Sequence, residues 1–218
     1  MTYRTRIPIA ATLAALVLAV AVGSASARRL EVSEQHIRIV WTFLHFASSE
    51  ETFRIECPVT MEGSFHSKTI SKVSGQLIGY LTRAAIAPLT ACRNNEGVEA
   101  ISLQGNTLPW HIRFQDFSGV LPNIGTINAQ FVGLGVLIRA LGLNCLYKST
   151  AESPVVGKLI RDNFGRIVDL DPQPTALIPR FEGALLCPAN GKIAEAFELT
   201  APVTNQGGLD KITIALVQ

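Results

Sequence analysis

The chain has 218 residues, of which 19 are basic, 17 acidic and 48% hydrophobic. Its first 27 residues hold two of the basic residues and none of the acidic ones, so the remainder carries 17 of each sign. A neutral chain with no Lys or Arg run longer than Arg28-Arg29 lacks the field that phosphate backbones require, and nucleic acid is excluded as an expected partner.

The first segment reads as an export signal. Arg4 and Arg6 supply positive charge, Ile7 to Val22 is apolar apart from Pro8 and Thr12, and Ala25-Ser26-Ala27 gives the small-x-small cleavage pattern. Cleavage after Ala27 is expected, with secretion or release outside the cytoplasm. The apolar run is shorter than the roughly 20 residues of a membrane helix. Arg28-Arg29 follows that run and is not a twin-arginine signal, and no Cys follows the small residues as in a lipoprotein. The tail over 211–218 is too short to span a bilayer, so no membrane span is expected after cleavage. Gly and Pro are spread without a linker, so one β domain over 28–218 is expected.

From there the dominant pattern is period-two alternation, the mark of half-buried strands. His36 to Phe46 predicts a strand with Ile37, Ile39, Trp41 and Phe43 on one face. Leu44 and Phe46 fall on the other face with Arg38, Val40 and Thr42. Polar residues 47–51 predict a hairpin turn, and 52–65 a returning strand broken or bent at Pro58. A strand is predicted over 76–85 and not a helix, because Gly75 and Gly79 each cost a helix about 1 kcal/mol. Asn94 to Gly97 is turn chemistry, and 98–103 a short strand.

Residues 108–114 alternate sharply: Leu108, Trp110, Ile112 and Phe114 against Pro109, His111, Arg113 and Gln115. Asp116 then occupies the apolar register, and a bulge near it restores the phase for Phe117. The apolar run 124–139 reads as one long strand bent at its glycines. Further strands are predicted over 145–149, 155–160, 166–170, 176–181, 192–199 and 211–217. Asn190-Gly191 carries the signal of a tight hairpin. So many short strands define an all-β fold, an antiparallel sandwich or flattened barrel.

Four cysteines, Cys57, Cys92, Cys145 and Cys187, follow the signal segment, and in an exported chain they predict two disulfides. Three pairings are possible. Cys57–Cys92 with Cys145–Cys187 closes the two shortest non-overlapping loops and is preferred. Structural zinc needs ligand pairs two to four residues apart, and no two cysteines here lie closer than 35 positions. Metal and cofactor are not expected. Glu56-Cys57-Pro58 matches Leu186-Cys187-Pro188, first cysteine to last, which argues against a tandem repeat.

Residues 57–67, beginning Cys57-Pro58-Val59, together with Leu108-Pro-Trp-His-Ile-Arg-Phe114 and Phe117-Ser-Gly-Val-Leu-Pro122, resemble segments of exported actinobacterial proteins of unknown function. The resemblance covers the central third of the chain. It implies an exported bacterial setting and carries over no active-site residue and no ligand.

Candidate binding residues are His66, Trp110, His111, Arg113 and Asp116. Neither Ser64 nor Ser67 sits in a nucleophile elbow, and no catalytic residue is assigned. The leading functional expectation is a non-enzymatic exported protein acting by binding or structural contact in the bacterial envelope or medium. One alternative is a carrier of a hydrophobic small molecule, which needs an unfilled apolar cavity inside the sheets. Another is a hydrolase, which needs His66, His111 and Asp116 to converge within hydrogen-bond reach.

Overall fold

The computed structural model describes residues 29–94, 98–120, 123–173, 177–193 and 201–217. The expected signal segment, the turn residues 95–97 and most of the strand predicted over 192–199 lie outside the described residues. Seventeen strands follow in chain order among those described. The first six are β1 (Arg29–Val32), β2 (His36–Ser48), β3 (Arg54–Phe65), β4 (Thr69–Ile70), β5 (Leu77–Ile86) and β6 (Arg93–Asn94). Then come β7 (Val98–Leu103), β8 (Trp110–Val120), β9 (Asn123–Val132), β10 (Gly135–Ala140), β11 (Leu143–Lys148) and β12 (Val155–Arg161). The last five are β13 (Ile167–Pro172), β14 (Leu177–Gly183), β15 (Asn190–Ile193), β16 (Ala201–Thr204) and β17 (Ile214–Val217).

Eight strands close an antiparallel barrel in the order β2–β3–β5–β8–β9–β12–β13–β16, and β16 returns to β2 through Val203↔Ile39 and Thr204↔Arg38. Closure leaves those strands no unpaired edge along the ring. The length of β2 lets it serve two sheets. Its first half closes the barrel, and Phe46–Ser48 pair with β15 to start an arm running β15–β14–β11–β10–β7. A separate sheet, β17–β1–β4, packs Leu30, Val32, Ile70 and Ile214 into the same core as the barrel.

Alternation fills the barrel. Ile39 and Trp41 from β2, Val59 and Met61 from β3, Ile112 and Phe114 from β8, Ile127 and Phe131 from β9 and Leu170 from β13 are all buried. Between Trp41, Met61, Phe131 and Leu170 the interior keeps a small apolar void of about 20 Å³. That is room for about one water molecule.

Four predicted details differ. Phe43 does not share the face of Trp41, because a bulge separates Trp41↔Val59 from Leu44↔Cys57 and turns Leu44 and Phe46 inward. Phe43 instead lies under the Arg93 guanidinium, 4.0 Å from its ring centre. Pro58, which has no N–H to give, sits on β3 across from this bulge, so the strand runs through it unbroken. The run 124–139 is two strands, which turn at Gly133-Leu134: β9 pairs with β8 and β12, β10 with β7 and β11. Ser149 Oγ holds that turn, donating to the Phe131 carbonyl and accepting from the Leu134 N–H. Asn190-Gly191 is not a turn but the start of β15, paired with Ile178 and Pro179 across a longer loop. The bulge expected beside Asp116 is present, between Phe114 and Asp116.

Both disulfides pair as preferred: Cys57–Cys92 spans 35 residues and Cys145–Cys187 spans 42. Among the described residues no helix is long and apolar enough to cross a membrane.

Candidate functional site: an apolar face on the arm

The residues singled out by sequence separate into three places. Trp110 is fully buried, and its Nε1–H donates to Thr107 Oγ1 at 2.8 Å, so it is part of the core. His66 and His111 meet on the outer face of the barrel, on either side of Tyr80, with ring centres 4.5 and 5.2 Å from it. Cross-strand register explains this, since Ser64, Tyr80 and His111 lie abreast on β3, β5 and β8. Arg113 is half-buried on the same strand, paired with Leu77 and Gln130. Asp116 is exposed and accepts a hydrogen bond from Asn128. It lies five residues beyond His111, about 16 Å along a strand, so these groups do not converge as a hydrolytic site requires. Among the described residues no three His, Cys, Asp or Glu side chains are grouped to hold a metal.

A further place was not singled out by sequence. The β10–β11 hairpin closes through Leu141 and Gly142, with φ of 51° and 74°. Two positive φ angles are what a tight hairpin turn needs, and Asn-Gly is its usual sequence. A leucine there costs roughly 1–2 kcal/mol. Nothing is regained by burial, because Leu141 is 81% exposed. Nearby, the loop between β14 and β15 presents Leu185 and Leu186, 93% and 83% exposed. Leu141, Leu143, Leu185 and Leu186 rim a groove of about 670 Å³, floored by Phe53 and the Cys145–Cys187 bridge, with Glu50 and Thr52 at one end.

Both tips are held from within. At the hairpin, Gly142 N–H donates to Glu99 Oε1 at 2.6 Å, and the other Glu99 oxygen accepts from Arg139 Nε at 2.9 Å. In the loop, Arg180 Nη1 donates to the carbonyls of Ala184 (2.9 Å), Leu185 (3.3 Å) and Cys187. Cys187 is tied to Cys145 on β11, and the Tyr147 hydroxyl donates to the Pro188 carbonyl at 3.3 Å. The leucines therefore project from a fixed frame.

Exchanging the turn leucine separates fold from role. Leu141→Asn is expected to stabilise the protein by about 1 kcal/mol. Thermal unfolding should rise by about 3 °C, the shift expected for a chain of this size. An unchanged or lower midpoint would mean that Leu141 is well accommodated, and the strain argument would fall.

Burial pushes the Tyr147 hydroxyl up to about 12, against a smaller downward pull from Arg180. The folded state thus favours the neutral phenol. Above the ordinary tyrosine value of about 10 the unfolded chain loses its proton first, and stability falls until about pH 12. Tyrosinate absorbance followed against pH should show one late-titrating group that Tyr147→Phe removes. An identical profile in the variant would contradict this.

No protein-family model, curated protein or solved structure matches the chain. The fold and the site define a class only: a closed eight-stranded antiparallel barrel with a disulfide-braced β arm that carries an exposed apolar face.

Proposed function

We propose that this is an exported, non-enzymatic protein of the bacterial envelope or medium, and that it acts by binding an apolar partner through the leucine-rimmed groove of the arm. The observation that carries this reading is the placement of Leu141, Leu185 and Leu186. Three large apolar side chains stand in water on two tips, one at a backbone cost, and each tip is braced by charged groups. Exposed apolar surface held in place at a cost to the fold marks contact sites. The export pattern of residues 1–27 and the two disulfides support an extracytoplasmic setting.

The carrier reading is retained in altered form. The barrel void of about 20 Å³ admits no organic ligand, whereas the groove, at about 670 Å³, is of the size that small-molecule sites have. An apolar ligand therefore belongs on the arm, outside the barrel. Native mass spectrometry of the protein from culture medium, unreduced, tests this. An adduct of reproducible mass that is absent from a Leu185→Ser/Leu186→Ser variant supports the reading, and an adduct equally present in both removes it.

A further inference from the structure

From the way the two tips are capped, we infer that the partner is a lipid surface, with Leu141, Leu185 and Leu186 entering its hydrocarbon and an acyl chain lying in the groove between them. This rests on the binding reading above and names its partner. A loop facing only water has its backbone groups satisfied by water. A loop entering hydrocarbon must satisfy them internally, at several kcal/mol for each failure. Here the Gly142 N–H is taken by Glu99, and the carbonyls of Ala184, Leu185 and Cys187 are all taken by Arg180. The Pro188 carbonyl is taken by Tyr147. Of the capping charges, Glu99 is paired with Arg139, and Arg180 turns its Nη1 onto the three carbonyls. Partial internal capping of the backbone and apolar tips thus occur on the same two turns.

The size of the face agrees. Three leucine side chains offer on the order of 300 Å² of apolar surface, well below the ~800 Å² per partner of a stable protein–protein interface. Lipid insertion needs only the tips. At about 1.5 kcal/mol for each leucine entering hydrocarbon, the association is reversible, comparable to that of a single acyl anchor. Charge plays a small part. Glu50, which lines the groove, is acidic, and the nearest residue in sequence, Glu51, holds Lys192 at 2.8 Å. An anionic headgroup is therefore not required.

Vesicle flotation with the mature chain and phosphatidylcholine vesicles is the test. Both tryptophans, Trp41 and Trp110, are buried, so Leu185→Trp adds the one exposed indole reporter. The expected results are co-flotation of the wild type, a blue shift of Leu185→Trp emission on adding vesicles, and no gain on adding phosphatidylglycerol. The Leu141→Asn/Leu185→Ser/Leu186→Ser variant should bind roughly a thousandfold more weakly. Its circular dichroism should match the wild type, since all three side chains are exposed. Three outcomes overturn the inference: no flotation of wild type, flotation unaffected by the triple variant, or a leucine-dependent dimer without flotation. If wild type fails to float yet still carries a groove adduct in native mass spectrometry, the binding reading survives and the lipid surface does not. If it neither floats nor carries an adduct, both fall.

Discussion

Replacing Cys145 and Cys187 together with serine should lower the unfolding free energy by about 4 kcal/mol and disperse the apolar face at the same time. The stability loss follows from releasing a closed loop whose ends lie 42 residues apart, which gives the unfolded chain back its entropy. The loss of the face follows from position. Cys145 lies opposite Gly183 at the end of the β11–β14 ladder, and Cys187 anchors the loop that presents Leu185 and Leu186. Without the bridge the loop is left to hydrogen bonds, among them those from Arg180, Tyr147 and the Cys187 N–H, which are open to competition from water. Cys57→Ser/Cys92→Ser is the matched control. Its loop spans 35 residues, so the stability loss is similar, but the bridge joins β3 to the segment before β6, away from the groove. Denaturant unfolding together with binding of an apolar naphthylamine fluorophore separates the two effects. Similar shifts in midpoint are expected, with loss of dye binding only for the Cys145/Cys187 variant. Equal dye binding by both variants would show that the bridge does not shape the face.

Gly63→Ala should be the most disruptive single methyl addition in the barrel wall. A Cβ at Gly63 would lie 2.0 Å from the Tyr80 carbonyl oxygen and 2.8 Å from Leu81 Cα. Both obstacles are backbone, so no side-chain rotation relieves them, and β3 must move away from β5. That pairing runs from Val59↔Ile86 to Phe65↔Gly79 and forms part of the closed ring. Overpacking of this kind costs about 3 kcal/mol or more. A barrel cannot open at one seam without exposing its core. Gly105→Ala, where nothing lies within 4 Å of the added methyl, should change stability by no more than about 0.5 kcal/mol. Thermal unfolding of the two variants checks the contrast, and similar midpoints would contradict the close approach.

Much of the wall was readable because a strand packed on one side repeats every second residue. The alternation from Trp110 to Phe114, the bulge beside Asp116 and the disulfide pairing all follow from local pattern or loop length. What stayed hidden has physical reasons. The bulge at Trp41/Leu44 leaves no local mark on β2, because its cause is Pro58 on the neighbouring strand. Closure depends on Val203 meeting Ile39, a contact between residues far apart in sequence that no periodicity encodes. Asn190-Gly191 carried a turn signal, but a bridge and an arginine hold the real turn elsewhere. As for the site, the sequence drew attention to its histidines and its tryptophan, of which His66 and His111 meet around Tyr80 while Trp110 fills the core. The leucine face was hidden because an apolar residue reads as core by default. Its one local trace is Leu141-Gly142, a leucine where a tight turn usually has asparagine, and that is visible only once β10 and β11 are recognised as a hairpin.

The proposed contact face is Leu141, Leu185 and Leu186. Equilibrium titration of residues 28–218, and of their Leu185→Ser/Leu186→Ser variant, with the same apolar fluorophore is its direct test. Saturable binding to the wild type is expected, weakened at least about tenfold in the variant, with unfolding midpoints unchanged. Equal affinity in the two proteins would contradict it.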